Sequence, residues 1–129
     1  MTPFLERMHA VPLVFDGAMG TMLYSRGVFI NTCYDELNLT RPDLVQAIHA
    51  EYAESGADVI ETNSFGANRV KLKAHGLADK VAAINRAAAK LAREVAGTEA
   101  YVAGSVGPCM RMRQMWQDNL VEEYRPAFL

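Results

Sequence analysis

Three short apolar runs, each ending in a polar cluster, constrain this chain most. Val11-Pro12-Leu13-Val14-Phe15 runs into Asp16-Gly17-Ala18-Met19-Gly20-Thr21. Ala57-Asp58-Val59-Ile60 runs into Glu61-Thr62-Asn63-Ser64, and Ala100-Tyr101-Val102-Ala103 into Gly104-Ser105-Val106-Gly107-Pro108. Val/Ile-rich runs of this length, separated by helical stretches, predict parallel strands of an α/β protein. Ligands in such folds gather at the carboxyl ends of the strands, so the three polar clusters predict chemistry at one face of one sheet.

The stretches between the runs read as helices. Thr40 and Asp43 make a capping-box-like start, with Pro42 in the first turn. Leu44, Val45, Ile48 and Tyr52 share one face, and Gly56 supplies a left-handed stop. Residues 68–75 predict a short helix halted by Gly76. The strongest pattern runs from Asp79 to Ala96, where Val81, Ile84, Ala88, Leu91 and Val95 form an apolar stripe and Gly97 closes it. Residues 17–40 read as a long loop. The order is therefore β-α-β-α-β with right-handed crossovers. Leu120, Val121, Tyr124 and Phe128 have helical spacing, interrupted by Pro126, so the expectation there is a helix cut short by the end of the chain.

At 129 residues, half of them hydrophobic, the chain is long enough for one domain with a buried core. Thirteen basic against fifteen acidic residues give a formal charge of −2, which argues against a nucleic-acid or membrane-surface partner. No run reaches the roughly 18 apolar residues of a membrane span, and residues 1–10 lack the apolar centre of a signal peptide. Cys33 and Cys109 alone make no disulfide framework, and the expected setting is a reducing cytoplasm.

Asp16 followed by small residues suits an amino-acid ligand. The carboxylate can take an ammonium group, and the backbone N–H groups of the glycine-rich turn can take a carboxylate. The competing reading is a tight turn with Asp16 as a local cap. The pattern is neither a dinucleotide fingerprint nor a P-loop. Glu61 at the end of the second run needs a ligand, a cation or water, or else bonds to its own loop. Gly104-Ser105-Val106-Gly107-Pro108 is a strand-end turn allowing close backbone approach. The histidines His9, His49 and His75 are scattered, and His49 reads as an exposed or core-edge residue. Neither cysteine belongs to a grouping that zinc would accept. The Met110–Trp116 stretch, rich in Met and Arg, reads as a loop partly packed on the protein.

Four ordered segments together resemble the homocysteine S-methyltransferase family: residues 16–21, Cys33-Tyr34-Asp35-Glu36-Leu37-Asn38-Leu39-Thr40-Arg41-Pro42, Glu61-Thr62-Asn63-Ser64-Phe65-Gly66-Ala67-Asn68, and residues 104–108. Residues 24–31 resemble most the bifunctional members fused to a methylenetetrahydrofolate reductase. The resemblance implies the N-terminal part of a (β/α)8 TIM barrel, a fold of about 250 residues. It implies methyl transfer to homocysteine, giving methionine, with the thiol held as thiolate on zinc.

Carried onto this sequence, the resemblance implies that Asp16, Gly17, Ala18, Glu61, Thr62, Asn63 and Ser105 hold the substrate. No catalytic or metal-binding residue is assigned, because the family's adjacent Cys-Cys pair is absent here. Zinc ligands are expected outside this chain, so the chain alone is expected to be inactive. The family uses methylcobalamin, methyltetrahydrofolate, methylmethionine and betaine as donors, and the sequence does not choose among them, with methylcobalamin or methyltetrahydrofolate the donors carried forward. The implied partners are the remaining barrel half and a reductase, cobalamin or folate domain. Two other readings stay open: a non-catalytic half-barrel binding a small amino acid or a partner chain, and a different barrel enzyme using Asp16 and Glu61 as an acid/base pair.

Overall fold

The computed structural model describes residues 1–109. Its centre is a small parallel sheet in which β1 (Val59–Glu61) pairs with β2 (Tyr101–Ala103), placing Ile60 opposite Val102 and Glu61 opposite Ala103. The first apolar run adds only a bridge, Phe15 to Val59, on the other side of β1. The α/β class and the parallel sense follow the sequence expectation, but the run Val11–Phe15 is not a full strand. β1 is three residues long, and the Val14 N–H is taken by the Asp58 carboxylate at 2.9 Å rather than by a ladder carbonyl. Pro12 brings no N–H at all.

Six helices accompany the sheet among the described residues: α1 (Phe4–Ala10), α2 (Met19–Ser25), α3 (Leu37–Thr40), α4 (Pro42–Glu54), α5 (Arg69–Lys73) and α6 (Val81–Ala96). The expected loop over residues 17–40 is thus largely helical, with a 3-10 turn at Tyr34–Glu36 joining α3. Leu23 and Leu37 are buried there, so tertiary packing explains helices that the local pattern did not announce. The expected capping box before α4 does not form. Thr40 ends α3 and turns its hydroxyl back to the Glu36 carbonyl at 3.3 Å, while Arg41 occupies the cap position without a side-chain bond. Pro42 does open the helix, and Lys80 rather than Asp79 precedes α6.

The helix ends follow the glycines. After α4, Gly56 at φ 96° lets the Ala57 and Gly56 N–H groups reach back to the Tyr52 and Ala53 carbonyls. Gly76 repeats that pattern after α5. One core cluster joins Leu23, Leu37, Val45 and Ile48 to Leu91; another packs Ala92, Ala96 and Ala100 on Ile60. α4 and α6 thereby lie against each other and against β1.

His49 is a correction. It is completely buried on α4, neither exposed nor at a core edge, and neither ring nitrogen has a hydrogen-bond partner among the described residues. Burial pushes its pKa down to about 4, so the imidazole is neutral. The expectations for Met110–Trp116 and for a helix near residues 120–128 lie outside the described residues. Among the described residues no helix is long and apolar enough to cross a membrane.

Candidate active-site cleft

The polar ends of all three apolar runs open into one cleft of about 630 Å³. All seven expected residues line it: Asp16, Gly17, Ala18, Glu61, Thr62, Asn63 and Ser105. The parallel register is the cause, because strands that run the same way bring their carboxyl ends to the same rim.

Asp16 spans two of those ends. Its Oδ1 accepts the Glu61 N–H at 3.1 Å, while its own N–H donates to the Val59 carbonyl. Burial, reinforced by the nearby Glu61 carboxylate, pushes the Asp16 carboxyl up to about 6, against the lowering effect of the Glu61 N–H. Gly17 sits where α4 comes closest: a Cβ there would lie 2.7 Å from the Tyr52 hydroxyl. The same hydroxyl donates to the Ala18 carbonyl at 3.1 Å, so Tyr52 fixes the turn from behind.

Thr62 and Asn63 have their side-chain donors committed inside the protein. Ser105 N–H donates to Thr62 Oγ1 at 2.9 Å, and Ser64 Oγ donates to the Ser105 carbonyl at 2.8 Å. Since Ser64 gives its hydrogen away, the 2.6 Å contact between the two hydroxyls must run from Thr62 to Ser64. The three residues form a closed ring that ties the end of β1 to the end of β2. The Asn63 amide donates to the Tyr34 carbonyl at 2.8 Å, and Asn38 donates to both the Asp35 and Asn63 carbonyls at 2.7 Å. Asn38 is almost fully buried. This pair of amides clamps the 3-10 turn against β1.

Sequence reasoning did not single out Tyr34, Asp35, Ser64 or Phe65, all of which line the cleft. Asp35 Oδ1 accepts the Gly66 N–H at 2.9 Å, and burial raises its pKa above the usual carboxylate range. A Cβ on Gly66 would come 2.6 Å from Asp35 Oδ2, so a side chain there would displace the carboxylate that accepts the Gly66 N–H. The signal was present, since Asp35 and Gly66 both belong to the quoted segments, but nothing local tells that residues 31 apart meet.

Among the described residues the cleft lining holds three carboxylates, Asp16, Asp35 and Glu61, and no Lys, Arg or His. Such a lining attracts a cation. A zinc ion is not that cation on the residues present. No group of three or more His, Cys, Asp or Glu among the described residues converges to hold a metal. Cys33 and Cys109 are buried free thiols whose pKa values burial raises, which disfavours the thiolate zinc requires.

The homocysteine S-methyltransferase family matches over residues 13–128, and the chain belongs to that family. It is 38% identical over 119 residues to a methionine synthase of Mycobacterium leprae and 36% identical to one of Mycobacterium tuberculosis, in each case over 83% of this chain. The chain spans only 10% of the length of these relatives. Among solved structures it is similar to the homocysteine methyltransferase MmuM from Escherichia coli. The metallated form superposes with a TM-score of 0.68 at 25% identity, covering 89% of this chain and 43% of that one. The oxidized form gives 0.66 at 30% identity, over 74% and 37% respectively.

Proposed function

We propose that this chain is the N-terminal portion of a (β/α)8 barrel that transfers a methyl group to homocysteine, making methionine, and that it supplies the pocket for the amino-acid end of the substrate. The observation that carries this reading is the cleft whose lining, among the described residues, holds three carboxylates and no cationic side chain. An ammonium group placed between Asp16 and Glu61 relieves the repulsion that helps raise the Asp16 pKa. The backbone of Gly17 and Ala18 faces the substrate carboxylate. Thr62, Asn63 and Ser105 hold the walls at a fixed spacing through the bonds described above. Preorganisation of this kind lowers the ordering cost of binding a small, flexible amino acid.

In this reading the sulfur is activated by zinc whose ligands lie outside the described residues, and the methyl donor is methylcobalamin or methyltetrahydrofolate bound by other parts of the full protein. The remaining barrel half and a reductase, cobalamin or folate domain are the corresponding partners.

Calorimetric titration tests the pocket. Homocysteine should bind, and N-acetylhomocysteine, which lacks the ammonium charge, should bind at least tenfold more weakly, a difference of about 1.4 kcal/mol. Equal affinity for the two overturns the assignment. Incubating the chain with homocysteine, zinc and each donor should yield no methionine; turnover would refute the expectation that it is inactive alone.

A further inference from the structure

Tyr52 projects from α4 onto the glycine-rich turn but is not itself part of the cleft lining. Its ring packs against both core clusters, that of Leu23, Val45 and Ile48 and that of Ile60 and Ala92. A ring held this way has few rotamers open to it. The turn meets it at close range: a Cβ on Gly17 would lie 2.7 Å from the hydroxyl and 2.9 Å from Cε1. The missing side chain at Gly17 is what lets backbone and ring come so near.

The hydroxyl donates to the Ala18 carbonyl at 3.1 Å. No peptide bond among the described residues is cis, and in a trans peptide the carbonyl and the N–H that follows it point to opposite sides. With the Ala18 oxygen drawn toward α4, the Met19 N–H points away from α4, to the side where Asp16, Ala18 and Met19 line the cleft. None of the described residues accepts from that N–H. Donation into the carbonyl also polarises the shared peptide, which strengthens its N–H as a donor.

We propose that Tyr52 is a positioning residue for the cleft: by holding the Ala18 carbonyl back against α4, it keeps the Met19 N–H turned outward, where that group donates to the carboxylate of an amino-acid ligand. The inference rests on the reading of the cleft as an amino-acid pocket, and adds to it a residue that does not touch the ligand. The lining explains why such positioning matters. Among the described residues it offers no cationic side chain to a ligand's carboxylate, so backbone donors have to be set for that group in advance.

Tyr52→Phe tests this, because it keeps the ring and removes only the hydroxyl. Calorimetry on the full chain compares homocysteine with aminopropanethiol, which is homocysteine without its carboxylate. The variant should bind homocysteine about three- to tenfold more weakly, the worth of one ordinary hydrogen bond, and should bind aminopropanethiol as the unsubstituted chain does. Equal losses for both ligands mean a merely structural role and overturn the proposal, as does no loss for either. NMR of the unsubstituted chain gives a second readout that needs no variant to fold. The Met19 amide proton should move downfield with homocysteine and stay in place with aminopropanethiol; a signal indifferent to homocysteine overturns the proposal. Homocysteine held no more tightly than aminopropanethiol by the unsubstituted chain would instead remove the amino-acid reading itself, and this inference with it.

Discussion

Asp16 and Glu61 stand at the ends of neighbouring parallel segments, with the Glu61 N–H donating to Asp16 Oδ1 at 3.1 Å. One bond thus brings two carboxylates, 45 positions apart in the chain, to the same rim.

Asp16→Asn should weaken homocysteine binding by about 10–100-fold, since a charge-assisted hydrogen bond contributes roughly 1.5–3 kcal/mol. Affinity of the unsubstituted chain should fall as pH drops through about 6, the Asp16 pKa, approaching tenfold per pH unit once the carboxyl is protonated. Calorimetry from pH 5 to 8 reads both effects. A flat profile would mean that Asp16 does not meet the ammonium.

Folding stability should vary little between pH 4 and 6 because two groups oppose each other there. Asp16 titrates at about 6 when folded against 3.8 ordinarily, so its contribution strengthens the fold below the lower value and is lost as pH rises through 6. His49 titrates at about 4 against 6.5, so its contribution is present above 6.5 and is lost as pH falls toward 4. His49→Leu should therefore give a urea midpoint that rises on acidification, and Asp16→Asn one that falls, with a slope of at most about 1.4 kcal/mol per pH unit for the single proton. His49→Leu should also raise stability at pH 7, because it removes two unpaired buried nitrogens. Parallel slopes for both variants would sink this account.

Gly66→Ala should destabilise the chain by about 1–3 kcal/mol through its clash with Asp35 Oδ2. Asp35→Ala removes that oxygen, so the double variant should be more stable than the sum of the single losses predicts. Chemical denaturation of all four proteins measures the coupling, and strict additivity would deny the contact.

Thr62→Ser should keep the hydroxyl ring and leave stability within about 1 kcal/mol, whereas Thr62→Val should lose about 1–3 kcal/mol by stranding the Ser105 N–H. Hydrogen exchange at Ser105 gives a local check. It should accelerate in the valine variant and stay slow in the serine variant.

The helices α4 and α6 were legible because their stripes, glycine stops and lengths agree: Val45, Ile48, Ile84 and Leu91 are all buried as the periodicity requires. β1 and β2 were legible as short Val/Ile-rich runs, and their polar ends do meet at one cleft; the choice of seven residues within it came from the family resemblance. What stayed hidden depends on contacts between distant segments. α2 exists because Leu23 joins a buried cluster with residues of α3, α4 and α6, not because its own seven residues favour a helix. His49 looked peripheral because a histidine among small residues carries no local mark of complete burial. Asp35 could not be placed at the site until the fold brought it to Gly66.

The amide clamp of Asn38 and Asn63 has a consequence for how a ligand arrives. Two bonds of 2.7 and 2.8 Å tie the turn over residues 34–38 to Asn63 just past β1, and a third, of 2.7 Å, locks Asn38 onto Asp35, so that side of the pocket is a fixed partition and not a swinging door. A ligand that settles there meets a wall already in place, so no closing movement of this turn is needed to hold it.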